Sequence, residues 1–86
     1  RAKGDSMEDA GIRDGTIMLV KCQSTCDSGQ VALVCINGDE ATVKRIFFHE
    51  DRIELVPENR KYPRSSYPLK EITIQGIVKK VIGDVV

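Results

Sequence analysis

The sequence predicts a mainly β fold, a small, bent, antiparallel β structure with one short helical turn near its N-terminus. Short apolar runs rich in β-branched residues recur along the chain, and Gly, Asn, Asp and Pro residues separate them. The 86 residues suit a single domain over 1–86 with one core. Hydrophobic residues at 41% and charged residues at 30% are ordinary values for a globular domain.

The N-terminal stretch KGDSMEDAGIRDG carries the only helical signal. Within it, SMEDAGI allows one or two turns of helix before Gly11 ends them. Ser6 and Asp9 match a capping box, so the Ser6 hydroxyl is expected to cap this turn. We interpret the pair Ala10-Gly11 as the helix stop.

Five strands are predicted after this turn, at TIMLVK, QVALVCI, EATVKRIFF, RIELVP and EITIQGIVKKVIGDVV. The first strand follows an Asp14-Gly15 turn. Asn37-Gly38 accepts the positive φ angles of a tight hairpin turn, so the strands on either side of it should pair antiparallel.

Prolines and a glycine mark the irregular parts of the second half. Pro57, Pro63 and Pro68 predict that the segment 58–68 is a loop that cannot continue a ladder. Gly76 predicts a bulge or bend in the last strand. The tail GIVKKVIGDVV has two interpretations, an edge that pairs with a second copy of the chain and an ordinary internal strand.

Charge and cysteine content exclude several functions. Thirteen Lys and Arg residues balance thirteen Asp and Glu residues, so no net field attracts the chain to nucleic acid. No apolar run has the length of a membrane span, and no membrane partner is expected. Cys22, Cys26, Cys35 and His49 make a poor zinc pattern. We therefore expect reduced thiols in a cytoplasmic protein, Cys35 as a small buried residue, and no metal or other cofactor.

Ser6 is also a candidate nucleophile, provided that a second group can take its hydroxyl proton. His49 follows a strand, where a solvated turn histidine is the usual case, so Lys44 is the better candidate base. Strand alternation puts Lys44 on one face with Ile46 and Phe48, and desolvation by apolar neighbours lowers the pKa of a lysine. The alternative is a strand lysine whose ammonium group reaches water.

Four stretches in order, GDSMEDAGIRDGTIMLV, GQVALVCINGDEATVKRI, IELVPEN and ITIQGIVKKVIG, resemble the catalytic domain of LexA, UmuD and phage repressors of the λ type. The resemblance covers nearly the whole chain. It implies a self-cleaving serine endopeptidase with a Ser-Lys dyad on a fold of the LexA catalytic-domain type. By position, Ser6 matches the nucleophile and Lys44 the general base, and the backbone N–H groups of Asp5 and Ser6 match the oxyanion hole. Met7 is expected to lie beneath the site without a chemical role.

The resemblance also implies partners. The family cleaves a bond of its own chain, commonly Ala-Gly, upstream of the serine, and we expect that segment and an N-terminal DNA-binding domain to lie outside these 86 residues. The implied partners are a second copy in a homodimer, the upstream segment as substrate and a RecA filament as trigger, with DNA contacted only through the N-terminal domain. The chain is thus interpreted as the C-terminal domain of a LexA-like or prophage transcriptional repressor that undergoes SOS-type derepression.

Three other interpretations stay open from the sequence. One is a UmuD-like mutagenesis protein. A second is a relative of signal peptidases, which share a Ser-Met motif and a lysine base but carry a membrane anchor. The third is a non-catalytic dimerisation module of a repressor, which would be expected to have lost Ser6 or Lys44, yet both are present.

Overall fold

The computed structural model of the protein describes residue 2 and residues 4–84. Within that part, a short 3-10 turn, η1, precedes the strands, and a second one, η2, precedes the last strand. The elements in order are η1 (Glu8–Ala10), β1 (Thr16–Cys22), β2 (Val31–Ile36), β3 (Thr42–Phe48), β4 (Arg52–Val56), β5 (Ser65–Pro68), η2 (Leu69–Glu71) and β6 (Ile72–Asp84).

The strands form one antiparallel sheet in the order β1-β6-β2-β3-β4-β5. The last strand of the sequence therefore lies between the first two. The mainly β, antiparallel class is confirmed, and each of the five predicted strands is present. Over the described residues, no helix has the length and apolar character needed to cross a membrane.

The core lies on one face of the central strands β2, β3 and β4. Its fully or nearly fully buried members are Ala32, Val34, Ile46, Ile53 and Leu55. These residues are two apart within each of β2 and β4, as the alternation of side chains along a strand requires. Lys44 is two residues before Ile46 on β3, so its side chain leaves the strand on the same face as the core residues.

The Asn37-Gly38 turn joins β2 to β3 as predicted. Asn37 has a φ of 51° and Gly38 a φ of 78°, and the Asp39 N–H donates to Ile36 O at 2.9 Å. Positive φ at both central residues is the geometry of the tight turn that matches the twist of a hairpin. This turn helps to set the register between β2 and β3, and so the position of Lys44 along the sheet.

The prediction that the segment 58–68 cannot join a ladder is wrong for its last part. Ser65–Pro68 forms β5, which pairs with β4 at the edge of the sheet. An edge strand has only one neighbour, so Pro68 can end it without leaving a ladder acceptor unpaired. Pro57 and Pro63 do lie outside the strands, as expected.

Gly76 lies where β6 is irregular. It pairs with Cys22 of β1 on one side and with Leu33 of β2 on the other. The register between β2 and β6 shifts directly after this pair, because Val34 faces Ile74. The predicted bulge at this place is confirmed.

Gly76→Ala should destabilise the domain. A Cβ at this position would lie 2.6 Å from Lys21 O and 2.6 Å from Val20 Cγ1, so β1 would have to move away from β6. Such overpacking costs about 1–3 kcal/mol, which urea unfolding should show as a loss in the free energy of unfolding. Lys79→Ala, at an exposed position of the same strand, is the control. Equal stability of Gly76→Ala and the wild type would contradict this close packing.

Candidate active site

The turn that carries Ser6 is tied to the loop before β1. Gly4 has a φ of 78°, a left-handed conformation that glycine adopts without strain. Its N–H donates to Asp14 Oδ1 at 2.8 Å. The chain then passes through Asp5 and Ser6 into η1, which ends at Gly11 with a φ of 81°, as the sequence predicts.

Ser6 does not cap this turn. The N-cap of η1 is Met7, and no side chain caps it. The Asp9 N–H, which the capping box assigns to the Ser6 hydroxyl, donates instead to Glu58 O at 2.7 Å. The capping prediction is therefore wrong, because the loop after β4 supplies the acceptor and leaves the Ser6 hydroxyl to another partner. Met7 itself is buried, at 3% exposure.

That other partner is Lys44. Its Nζ donates to Ser6 Oγ at 2.7 Å, to Thr42 Oγ1 at 3.0 Å and to Val43 O at 3.1 Å. Thr42 can reach the same amine because residues two apart on a strand share a face. The structure thus brings together the two side chains proposed from the sequence, which are 38 positions apart. Their chemical roles stay predictions.

The surroundings of Lys44 are apolar. It faces Ala32 of β2, and Ile46 follows two residues later on β3; both are fully buried. This burial lowers the pKa of Lys44 below its ordinary value of 10.5. None of the ion pairs in the described part of the chain includes Lys44. The ammonium form is therefore destabilised without a compensating carboxylate, which favours the neutral amine.

Two cavities meet at Ser6. The larger has a volume of about 570 Å³, and its walls are mostly apolar, including Met7, Ile12, Met18, Val20, Leu33 and Val43. The smaller, of about 330 Å³, is lined by Lys44, Asp5, Pro57, Tyr62 and Pro63. An extended peptide whose carbonyl lies at Ser6 would therefore have space on both sides of that carbonyl.

Two adjacent backbone N–H groups, those of Asp5 and Ser6, lie at the candidate nucleophile. The N–H groups of Asp5 and Ser6 have no acceptor among the described residues, whereas the neighbouring Gly4 N–H is bonded. Adjacent unpaired N–H groups next to a nucleophile are the donors that stabilise an oxyanion. The assignment of Asp5 and Ser6 to an oxyanion hole stays a prediction.

His49 belongs to a different part of the molecule. It follows β3, five residues beyond Lys44, which is about 16 Å along an extended strand. Its Nε2 lies 3.3 Å from Glu54 Oε1, and this hydrogen bond holds the pKa of Glu54 below its ordinary value. His49 therefore interacts with the β3–β4 hairpin and is not placed to take a proton from Ser6.

The cysteines Cys22, Cys26 and Cys35 are all free thiols. Cys35 is less buried than expected, and its Sγ accepts a hydrogen bond from Gln75 Nε2 at 3.0 Å. Burial, together with the nearby Asp27 carboxylate, raises the pKa of Cys26. In the part of the chain that the structure covers, His, Cys, Asp and Glu side chains form no cluster of three or more that could hold a metal ion.

Three residues near the site were not proposed from the sequence. Thr42 accepts a hydrogen bond from Lys44, and the period of β3 already places it on the lysine's face. Asn59 Nδ2 donates to Asp5 O at 2.8 Å, and the Tyr62 hydroxyl donates to Asp5 Oδ1. The last two contacts join residues that are separated by 54 and 57 positions along the chain, so no local pattern could have indicated them.

Comparisons with known proteins show what this chain is similar to. The family model described as Peptidase S24-like matches residues 1–79. The LexA repressor of Caldicellulosiruptor saccharolyticus is 46% identical over 83 residues, which are 96% of this chain and 38% of that repressor. The LexA repressor of Geotalea uraniireducens is 56% identical over 59 residues, 69% of this chain and 29% of that repressor. The chain spans well under half the length of these curated relatives, and the matches confirm the resemblance found in the sequence.

Lys44 should titrate below about 10.4, the value of a free lysine. Between its lowered pKa and that value, the unfolded chain binds a proton that the folded chain has released. The contribution of Lys44 to the free energy of unfolding therefore rises with pH across this window. Carbon-13 NMR of labelled lysine side chains gives the midpoint, and the signal missing in Lys44→Met identifies it.

The same variant tests the stability effect. Lys44→Met should remove the rise in the free energy of unfolding across that window, whereas Lys79→Met, at an exposed position, should retain it. A Lys44 midpoint at or above the free value would contradict the desolvation of the amine.

Proposed function

Since the chain belongs to the Peptidase S24-like family, we propose that it is a serine endopeptidase in which Ser6 is the nucleophile and Lys44 the general base. The observation that carries this proposal is the distance of 2.7 Å between Lys44 Nζ and Ser6 Oγ, which suits direct proton transfer. The lowered pKa of Lys44 adds support, because only the neutral amine accepts a proton.

In the acylation step, the neutral Lys44 amine accepts the Ser6 hydroxyl proton while Oγ bonds to the carbonyl carbon of the scissile peptide. The carbonyl oxygen becomes an oxyanion that accepts hydrogen bonds from the Asp5 and Ser6 N–H groups. The C–N bond then breaks, and the leaving amine takes the proton from the Lys44 ammonium group. The acyl part of the substrate stays bound to Ser6 as an ester.

In the deacylation step, Lys44 accepts a proton from a water molecule that attacks this ester. The second tetrahedral intermediate collapses, the Ser6–acyl bond breaks, and Oγ recovers the proton from Lys44. Thr42 Oγ1 and Val43 O accept hydrogen bonds from Nζ and keep the amine directed at Ser6. They also stabilise the ammonium form that exists briefly in each step.

We further propose that the parent protein is a LexA-like repressor and that this domain cleaves a segment of its own chain upstream of Ser6. Relatives named LexA repressor support the repressor context. The larger cavity at Ser6, of about 570 Å³, has room for an extended segment that contains Ala-Gly, and most of its lining residues other than Glu40 are uncharged and apolar. Cleavage would release an N-terminal DNA-binding domain and give SOS-type derepression, with a RecA filament as trigger. The net charge of zero is consistent with DNA contacts made elsewhere in the parent.

A homodimer through β6 is the third part of the proposal. β6 pairs with β2 only as far as Ile77, and its later described residues pair with β1 alone, so one edge is open there. Val81 and Ile82 on this half of the strand are 36% and 62% exposed. An open strand edge with exposed apolar side chains is a template for pairing with another chain. In this proposal, the internal-strand interpretation applies to the first half of β6 and the dimer-edge interpretation to the second half.

A fluorophosphonate probe should label Ser6, because such probes react with serine hydroxyls that an adjacent base deprotonates. Intact-mass and peptide-mapping spectra identify the labelled residue. Ser28 is the control within the chain, since its hydroxyl accepts the Phe48 N–H at 3.0 Å and no base adjoins it in the described structure. Equal labelling of Ser6 and Ser28 would argue against an activated nucleophile.

The same reaction tests the base. The labelling rate should rise with pH as the single group Lys44 loses its proton, and it should then level off. Lys44→Ala should lower it about 100-fold to 10,000-fold, and Lys44→Arg should do the same because guanidinium keeps its proton. Lys21→Ala is the surface control.

A synthetic peptide with a central Ala-Gly should be cut with the same pH dependence. If Lys44→Ala kept the alkaline rise, Lys44 would not be the base.

Ile82→Lys should raise the dissociation constant of the dimer, because it places a charge on the open edge of β6. Sedimentation velocity over a range of concentrations measures the change. Leu69→Lys, on η2, is the matched control, since Leu69 is also exposed, at 46%, but lies outside β6. A wild-type chain that stays monomeric at every concentration would contradict the proposed dimer.

A further inference from the structure

The loop after β4, residues 58–62, is bonded to the turn on both sides of Ser6. Before Ser6, Asn59 Nδ2 donates to Asp5 O at 2.8 Å, and the Tyr62 hydroxyl donates to Asp5 Oδ1. After Ser6, the Glu58 N–H contacts Met7 Sδ at 3.3 Å, and Glu58 O accepts from the Asp9 N–H at 2.7 Å. The turn is therefore held from outside rather than by its own hydrogen bonds alone.

Asn59 is itself fixed. It is 9% exposed, and its Oδ1 accepts the Lys61 N–H at 3.0 Å while its backbone oxygen accepts the Tyr62 N–H at 3.1 Å. Both ends of the side-chain amide are thus engaged, and a rotation would break two hydrogen bonds. Arg45 on β3 donates to Glu58 Oε1 at 2.5 Å and ties the loop to the sheet.

The contact between Asn59 and Asp5 acts on the Ser6 N–H. The Asp5 carbonyl and the Ser6 N–H belong to one planar peptide unit, which is trans, so they point in opposite directions. Holding the carbonyl oxygen therefore fixes the direction of the N–H. A hydrogen bond to the carbonyl also polarises the peptide unit and makes its N–H a stronger donor. The turn supplies one hydrogen bond to the same carbonyl, from the Glu8 N–H at 3.1 Å, and the shorter bond from Asn59 is a second restraint on it. Because η1 has only three residues and no side-chain cap, the turn alone is a weak restraint.

We propose that Asn59 is a positioning residue for the reaction, because its amide holds the Asp5-Ser6 peptide unit with the Ser6 N–H directed at the oxyanion. The Tyr62 hydroxyl assists by restraining the Asp5 side chain. The Asp5 carboxylate raises the pKa of Tyr62, so this hydroxyl remains a donor at the alkaline pH where Lys44 is neutral. The inference rests on the proposed function, since it assigns a role within the same site.

The first test is independent of activity. In a nitrogen-15 NMR spectrum, Asn59→Ala should shift the Asp5 and Ser6 amide signals while the signals of the sheet stay dispersed. Gln23→Ala is the matched control, because the Gln23 amide also donates one hydrogen bond to a backbone carbonyl, that of Thr25 at 2.5 Å, but in the loop after β1. It should leave the Asp5 and Ser6 signals in place. Unchanged signals in Asn59→Ala would overturn the proposal.

The second test uses the labelling rate of Ser6 as a function of pH. Asn59→Ala should lower the plateau rate about tenfold or more, since loss of one oxyanion donor costs about 100-fold to 1,000-fold. The midpoint of the pH profile should stay that of the wild type, because Lys44 is untouched. Gln23→Ala should keep the wild-type plateau, and an equal loss of rate in both variants would overturn the positioning role.

A milder variant keeps the proposal testable if Asn59→Ala does not fold. Tyr62→Phe removes one hydroxyl and should shift the Asp5 amide signal and lower the plateau less than Asn59→Ala does. An unchanged plateau in both variants, or a shifted midpoint in either, would overturn the proposal. A wild-type chain that is not labelled at all would instead refute the proposed function and, with it, any role of Asn59 in the reaction.

Discussion

The hydrogen bond between Lys44 Nζ and Ser6 Oγ joins an N-terminal turn to the middle of the sheet, and the proposed chemistry requires both of these groups. The lysine end is rigid, because β3 lies between β2 and β4 and its register with β2 follows a tight hairpin turn. At the serine end, Met7 is buried beside Ser6, but η1 itself buries no side chain and has no side-chain cap. Contacts from the loops before β1 and after β4 hold it against the sheet.

Placing a lysine on the core side of β3 has a cost in stability. The core of this domain is small, and a charged amine next to Ala32 and Ile46 is desolvated without a carboxylate partner among the described residues. Thr42 and Val43 offset part of that cost by accepting hydrogen bonds from Nζ. The remaining destabilisation of the ammonium form lowers the pKa of Lys44, as a general base requires, so the same feature that weakens the fold supports the proposed reaction.

Much of the fold could be predicted from local patterns. Alternating apolar residues located the five predicted strands, and Asn37-Gly38 located a hairpin, because both signals depend only on neighbouring residues. The errors were of another kind. Ser6 matched a capping box, but Glu58 O took the Asp9 N–H, and Ser65–Pro68 became a strand because β4 offered an open edge. In each case, a partner distant in sequence decided between two locally acceptable arrangements.

The sequence by itself determined the family, five of the six strands described and the candidate side chains Ser6 and Lys44, since motifs and strand periods depend only on the order of residues. Only the tertiary structure decided that these two side chains meet, that the Ser6 hydroxyl faces an amine rather than its own turn, and that Asn59 holds the Asp5 carbonyl. The physical reason is that hydrogen bonds and desolvation act over a few ångströms in space, whatever the separation along the chain. A local pattern therefore identifies the candidate functional groups, whereas the packing of the sheet and its loops sets the distances between them.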